Sequence, residues 1–101
     1  MEIITKEYYP GGQEQTKTFD KIKAYASKRS GLSIYFRVIS ETSISKWEYL
    51  GRMKEEVNEF IFPYGKNRGN GIQFRIIESG QGIPPIFKGI SLLYATEGVE
   101  E

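Results

Sequence analysis

The sequence predicts a small α/β (α+β) domain, a four-stranded sheet with two helices on one face, in the order β-α-β-α-β-β. Three observations predict it. Residues 32–40 and 72–78 alternate apolar with polar side chains, the period of half-buried strands. Segments 19–30 and 45–61 carry apolar residues at three- and four-residue spacing behind residues suited to cap a helix. The 101 residues, 39% hydrophobic and 14% aromatic, can bury one core and not two, so residues 1–101 read as a single domain.

Ile3 to Tyr9 reads as a first strand, its Thr and Tyr favouring extended backbone, stopped by the turn Pro10-Gly11-Gly12. Thr18 is placed to cap a first helix over Phe19–Ser30, with Phe19, Ile22 and Ala26 on one face. Gly31 after Lys28-Arg29-Ser30 fits a left-handed helix stop. Leu32 to Ser40 is the clearest strand: Leu32, Ile34, Phe36 and Val38 share a core-seeking face, and Ser33, Tyr35, Arg37 and Ile39 the other. Ser45 and Glu48 have the spacing of a capping box, flanked by the staple pair Ile44 and Tyr49. Leu50, Met53, Val57, Phe60 and Ile61 then form a helical stripe, with Trp47 one turn before it, until Pro63 and Gly65 end it. A cationic glycine loop, Tyr64 to Gly71, leads into a strand over Ile72–Glu78. Pro84-Pro85 bars pairing before a last strand, Ile90–Thr96, and residues 97–101 read as a frayed acidic tail.

Composition excludes several function classes. The chain has no Cys and no His, which removes disulfides, thiolate chemistry and imidazole acid–base catalysis. Asp20 is the single aspartate, so a paired-aspartate metal site cannot be built in one chain. Glu48, Glu55, Glu56 and Glu59 are a possible metal cluster on the second helix, with solvated charges the ordinary reading. No cofactor motif is read. The first residues lack a signal peptide's basic start and apolar run, and no run approaches the ~18 apolar residues of a membrane span. The expectation is a soluble, cytoplasmic protein without a membrane partner, in the host cytoplasm if the composition reflects a viral source.

Net charge is only +1, but it is unevenly spread. Residues 1–39 hold seven Lys or Arg against four acids, and residues 65–88 four against one. Three cationic elements follow. In the glycine loop, Lys66 and Arg68 can contact phosphate while backbone N–H groups cradle it. On the non-core face of two strands, Tyr35 and Arg37 would lie beside Gln73 and Arg75 if the strands are neighbours. Aromatic rings stack on bases and arginines hold phosphates, which is what single-stranded nucleic acid needs. On the first helix, Lys17, Lys21, Lys23, Lys28 and Arg29 outnumber Asp20. The expected function is therefore non-enzymatic binding of single-stranded DNA or RNA. Ile39 and Ile77, on the open sheet face, point to a homodimer.

Two other functions are carried beside this. Gly71-Ile72-Gln73-Phe74-Arg75-Ile76 and Ile90-Ser91-Leu92-Leu93-Tyr94 give residues 52–98 a likeness to the C-terminal half of RelE/HigB-type toxins. Those small ribonucleases have a helix, a glycine turn and an arginine-bearing strand. The resemblance implies an RNA-cleaving role for Arg37, Arg75, Lys66 and Tyr94. The second alternative is a viral or phage module that inhibits a host protein through the aromatic and isoleucine positions.

Overall fold

The computed structural model describes residues 2–12, 14–26, 32–53, 56–78 and 87–96. Those residues hold eight strands and no helix: β1 (Glu2–Ile4), β2 (Lys17–Ala26), β3 (Leu32–Ile39), β4 (Glu48–Arg52), β5 (Val57–Ile61), β6 (Arg68–Gly69), β7 (Gly71–Glu78) and β8 (Phe87–Thr96). The first sheet runs β1-β7-β3-β4, antiparallel throughout. The second is built on β2, with β8 along one edge and β5 then β6 along the other. One core joins them. Ile34, Phe36, Ile72, Phe74 and Ile76 of the first sheet meet Phe19, Ile22 and Ala24 of the second, and Met53 and Phe62 are buried in the same cluster. Alternation along each strand supplies one apolar face per sheet, and burying the two faces together makes a sandwich.

This overturns the two expected helices, and the reasons are local. In β2 a bulge lies between Phe19 and Lys21, so Asp20 is an extra residue and the inward face shifts by one. Phe19, Ile22, Ala24 and Ala26 are all buried as a result. The three-residue step from Phe19 to Ile22 imitates a helix, but a bulged strand makes it. In the second segment Ser45 caps no helix. Its backbone N–H donates to the Val38 carbonyl at 2.9 Å, and its hydroxyl accepts the Val38 N–H at 2.9 Å, tying the chain back to β3. The stripe then divides: Met53 is buried, while Val57 and Ile61 are exposed. Gly51 is poor helix material, and here its missing side chain makes room for Phe60. A Cβ there would stand 2.4 Å from the Phe60 ring.

The strands read from alternation lie where the period puts them. β3 and β7 are adjacent over their full length, from Leu32 opposite Glu78 to Ile39 opposite Gly71. Ile39, expected to be uncovered, is buried, bridging to Ile44. The glycine loop also differs. Gly69, Asn70 and Gly71 are buried and carry the chain from β6 in one sheet to β7 in the other. Gly71 allows the close approach this corner needs, since a Cβ would lie 2.5 Å from the Tyr9 ring and 2.9 Å from the Tyr8 carbonyl oxygen. Tyr8 exchanges two backbone hydrogen bonds with Ile72, both 2.9 Å. Gly71→Ala is therefore expected to cost about 1–3 kcal/mol and to loosen residues 8–10. Urea unfolding and amide exchange at Tyr8 and Ile72 check this, and unchanged protection at both would refute it.

Candidate functional site

β3 and β7 lie side by side, so their outward residues form cross-strand pairs. Tyr35 stands opposite Arg75, and Arg37 opposite Gln73. Arg37 Nε donates to Gln73 Oε1 at 2.9 Å, and Gln73 Nε2 donates to the Thr5 carbonyl at 2.8 Å. The guanidinium is thus held by a side chain that is itself pinned. It lies over the indole of Trp47, 4.4 Å from the ring centroid, and Arg75 approaches the same ring at 6.0 Å. Both distances suit cation–π attraction. Arg75 also pairs with Glu2 at the β1 edge. On the β4 side, Tyr49 stands opposite Tyr35 with the rings edge-on, centroids 5.4 Å apart. The four expected residues come together, and Trp47 and Tyr49 complete a platform of three aromatic rings and two guanidiniums. Sequence reasoning missed these two by placing them on a helix. The signal was available: Trp47 and Tyr49 are two residues apart, the spacing that puts both on one face of a strand.

The other cationic candidates do not join this face. Lys66 and Arg68 lie across β4 from the platform and line a cleft of about 290 Å³ with Ser40, Ser43, Ser45 and Glu48. Lys66 Nζ is 3.3 Å from Glu48 Oε1. Two backbone donors of the glycine loop are already engaged, the Lys66 N–H with the Pro63 carbonyl at 3.2 Å and the Asn70 N–H with the Ile39 carbonyl at 2.8 Å. Lys21 and Lys23 face outward from the second sheet, on the opposite side of the sandwich. Lys21 pairs with Glu59 at 2.9 Å, and this hydrogen bond holds the Glu59 carboxyl below the usual carboxylate range. Lys17 is buried. Lys28 and Arg29 lie outside the described residues, as do Glu55 and the tail 97–101. The expected glutamate cluster is dispersed: Glu48 is on β4, Glu59 on β5, and Glu56 just before β5. Among the described residues no three acidic, His or Cys side chains gather as a metal site, and no helix is long and apolar enough to cross a membrane.

A second feature was not read from the sequence. Between the sheets, beside β8, opens a groove of about 470 Å³ lined by Tyr8, Tyr9, Phe74, Ile90, Leu92 and Tyr94. The Tyr9 hydroxyl donates to Glu7 Oε1 at 2.7 Å, and that bond, with burial and the carboxylate's charge, pushes the phenol above its ordinary range. Tyr94 thus faces the inter-sheet space, while Arg37 and Arg75 occupy the outer face of the first sheet, so the residues implied by the toxin resemblance are not brought to one centre. The helix that the resemblance places ahead of the arginine-bearing strand is also replaced, by β5. Comparison with protein-family models, curated proteins and solved structures finds no match for this chain.

Proposed function

We propose that the chain is a recognition domain that binds single-stranded nucleic acid on the outer face of its first sheet. The observation that carries this reading is the cross-strand set Tyr35–Arg75 and Arg37–Gln73, with Trp47 beneath Arg37 and Tyr49 beside Tyr35. Single strands alternate flat rings with anions, and the platform alternates aromatic rings with guanidiniums over short distances. The arginines are already oriented by Gln73 and Glu2, so little side-chain freedom is lost on binding. With a net charge of only +1, bulk attraction contributes little, so binding rests on these local contacts.

Trp47 is the single tryptophan, so its fluorescence reports on this face alone. An oligothymidylate titration at low salt is expected to quench it with micromolar affinity. The log–log salt slope should be about −0.7 for each phosphate held. Tyr35→Ala should weaken binding by about 1–3 kcal/mol with little change in that slope, because it removes stacking and not charge. If DNA and RNA oligomers leave Trp47 unquenched, the reading is wrong. The inter-sheet groove favours a second reading, an interaction module that seats an apolar side chain of a protein partner. Binding abolished by Leu92→Lys but indifferent to Tyr35→Ala would select it.

A further inference from the structure

The cleft beside the platform has a composition that base stacking does not explain. Besides Val38 and Gly65 it is lined by Ser40, Ser43 and Ser45 and by two cations, Lys66 and Arg68, with Glu48 as its acid. The Ser40 and Ser43 hydroxyls lie 3.0 Å apart, and the Ser45 hydroxyl donates to the Lys46 carbonyl at 3.1 Å. The wall shared with the platform is the segment Ser45–Tyr49. Along it the side chains alternate: Trp47 and Tyr49 join the platform, and Glu48 between them turns to Lys66 in the cleft. A strand with its bases on Trp47 and Tyr49 thus needs only to cross one strand edge for its backbone to reach Lys66.

Resting on the platform reading, we infer that this cleft takes one backbone phosphate of the bound strand, and that Glu48 acts as a gate by occupying Lys66 until phosphate displaces it. The chemistry fits a phosphate oxyanion. It accepts charge-assisted bonds from an ammonium and a guanidinium, whereas Glu48 engages Lys66 at a long 3.3 Å. Lys66 and Glu48 are both partly solvated, so their pair is weak enough to exchange. Glu48 thereby lowers affinity for a strand whose phosphate enters the cleft, by the work of breaking its pair with Lys66.

Glu48→Gln tests the gate, read by Trp47 quenching with oligothymidylate. It removes the competing charge and is expected to tighten binding about two- to fivefold at low salt. Lys66→Ala should weaken binding, flatten the salt slope by about 0.7, and cancel the gain in the double variant. Glu59→Gln makes the same charge change against Lys21 on the opposite face and is the control. If Glu48→Gln and Glu59→Gln act equally, or if Lys66→Ala leaves the gain intact, the gate is overturned while quenching keeps the platform standing. If no oligonucleotide quenches Trp47 in any variant, the platform reading falls and this inference with it.

Discussion

Phe62→Ala is expected to destabilise the fold by about 3–5 kcal/mol, a large part of the roughly 5–15 kcal/mol typical of a domain. Phe62 is 3% exposed and stands just past β5, where four aromatic rings converge. Its ring meets Phe36 at 5.1 Å, Phe19 at 6.2 Å and Phe74 at 6.4 Å between centroids, so it contacts both sheets. Truncation removes that buried area and leaves a cavity that β-strands cannot collapse into. The neighbouring Ile61 is 76% exposed, and Ile61→Ala should change stability by no more than about 0.5 kcal/mol. A helix over residues 45–61 requires the reverse order, with Ile61 in its buried stripe. Urea unfolding of the two variants decides between the architectures. A larger loss at Ile61 than at Phe62 would refute the sandwich.

That pair of residues shows where the sequence was legible and where it was not. β3 and β7 are uninterrupted alternations, and strict period two has one structural meaning, so both strands and their outward faces could be read directly. Tyr35, Arg37, Gln73 and Arg75 could therefore be placed on one face, and only the neighbour relation had to come from the fold. β2 and β4 each carry a bulge, at Asp20 and at Leu50, and one extra residue converts a spacing of two into three. A spacing of three is also the helical signal, so period alone could not separate them. Ser45 and Glu48 misled for a related reason. A serine that accepts a backbone N–H serves a hairpin closure as well as a helix cap, and the partner, Val38, is seven residues away. The inter-sheet groove was unreadable because Tyr8, Phe74 and Leu92 meet only through long-range packing.

Lys17→Met is expected to cost about 1–3 kcal/mol for each buried acceptor left without its donor, with a characteristic dependence on pH. Lys17 is fully buried near the start of β2. Its ammonium donates to the Gly12 carbonyl and, at 2.6 Å, to the Asn70 carbonyl, so it fastens the turn after Tyr9 to the corner between the sheets. Met keeps much of the stem's volume but supplies no donor. Burial pushes the Lys17 ammonium below the usual lysine range, and the sign of the pH effect follows. Well below the lowered value both folded and unfolded chains hold the proton, and the folded state carries the full cost of a buried charge. Between the lowered value and the ordinary lysine range the unfolded chain binds more protons, so stability contributed by this residue rises with pH. The neutral amine still has two N–H groups for two carbonyls, so no hydrogen bond is lost on deprotonation. The gap between parent and Lys17→Met should therefore widen from about pH 7 to about pH 10. Tyr9 works in the opposite direction, since its raised phenol is penalised in the folded state once the unfolded tyrosine ionises. Both chains are best compared with Tyr9→Phe in the background. Urea midpoints at the two pH values give the result, and a gap that narrows would show that Lys17 is not held as the fold describes.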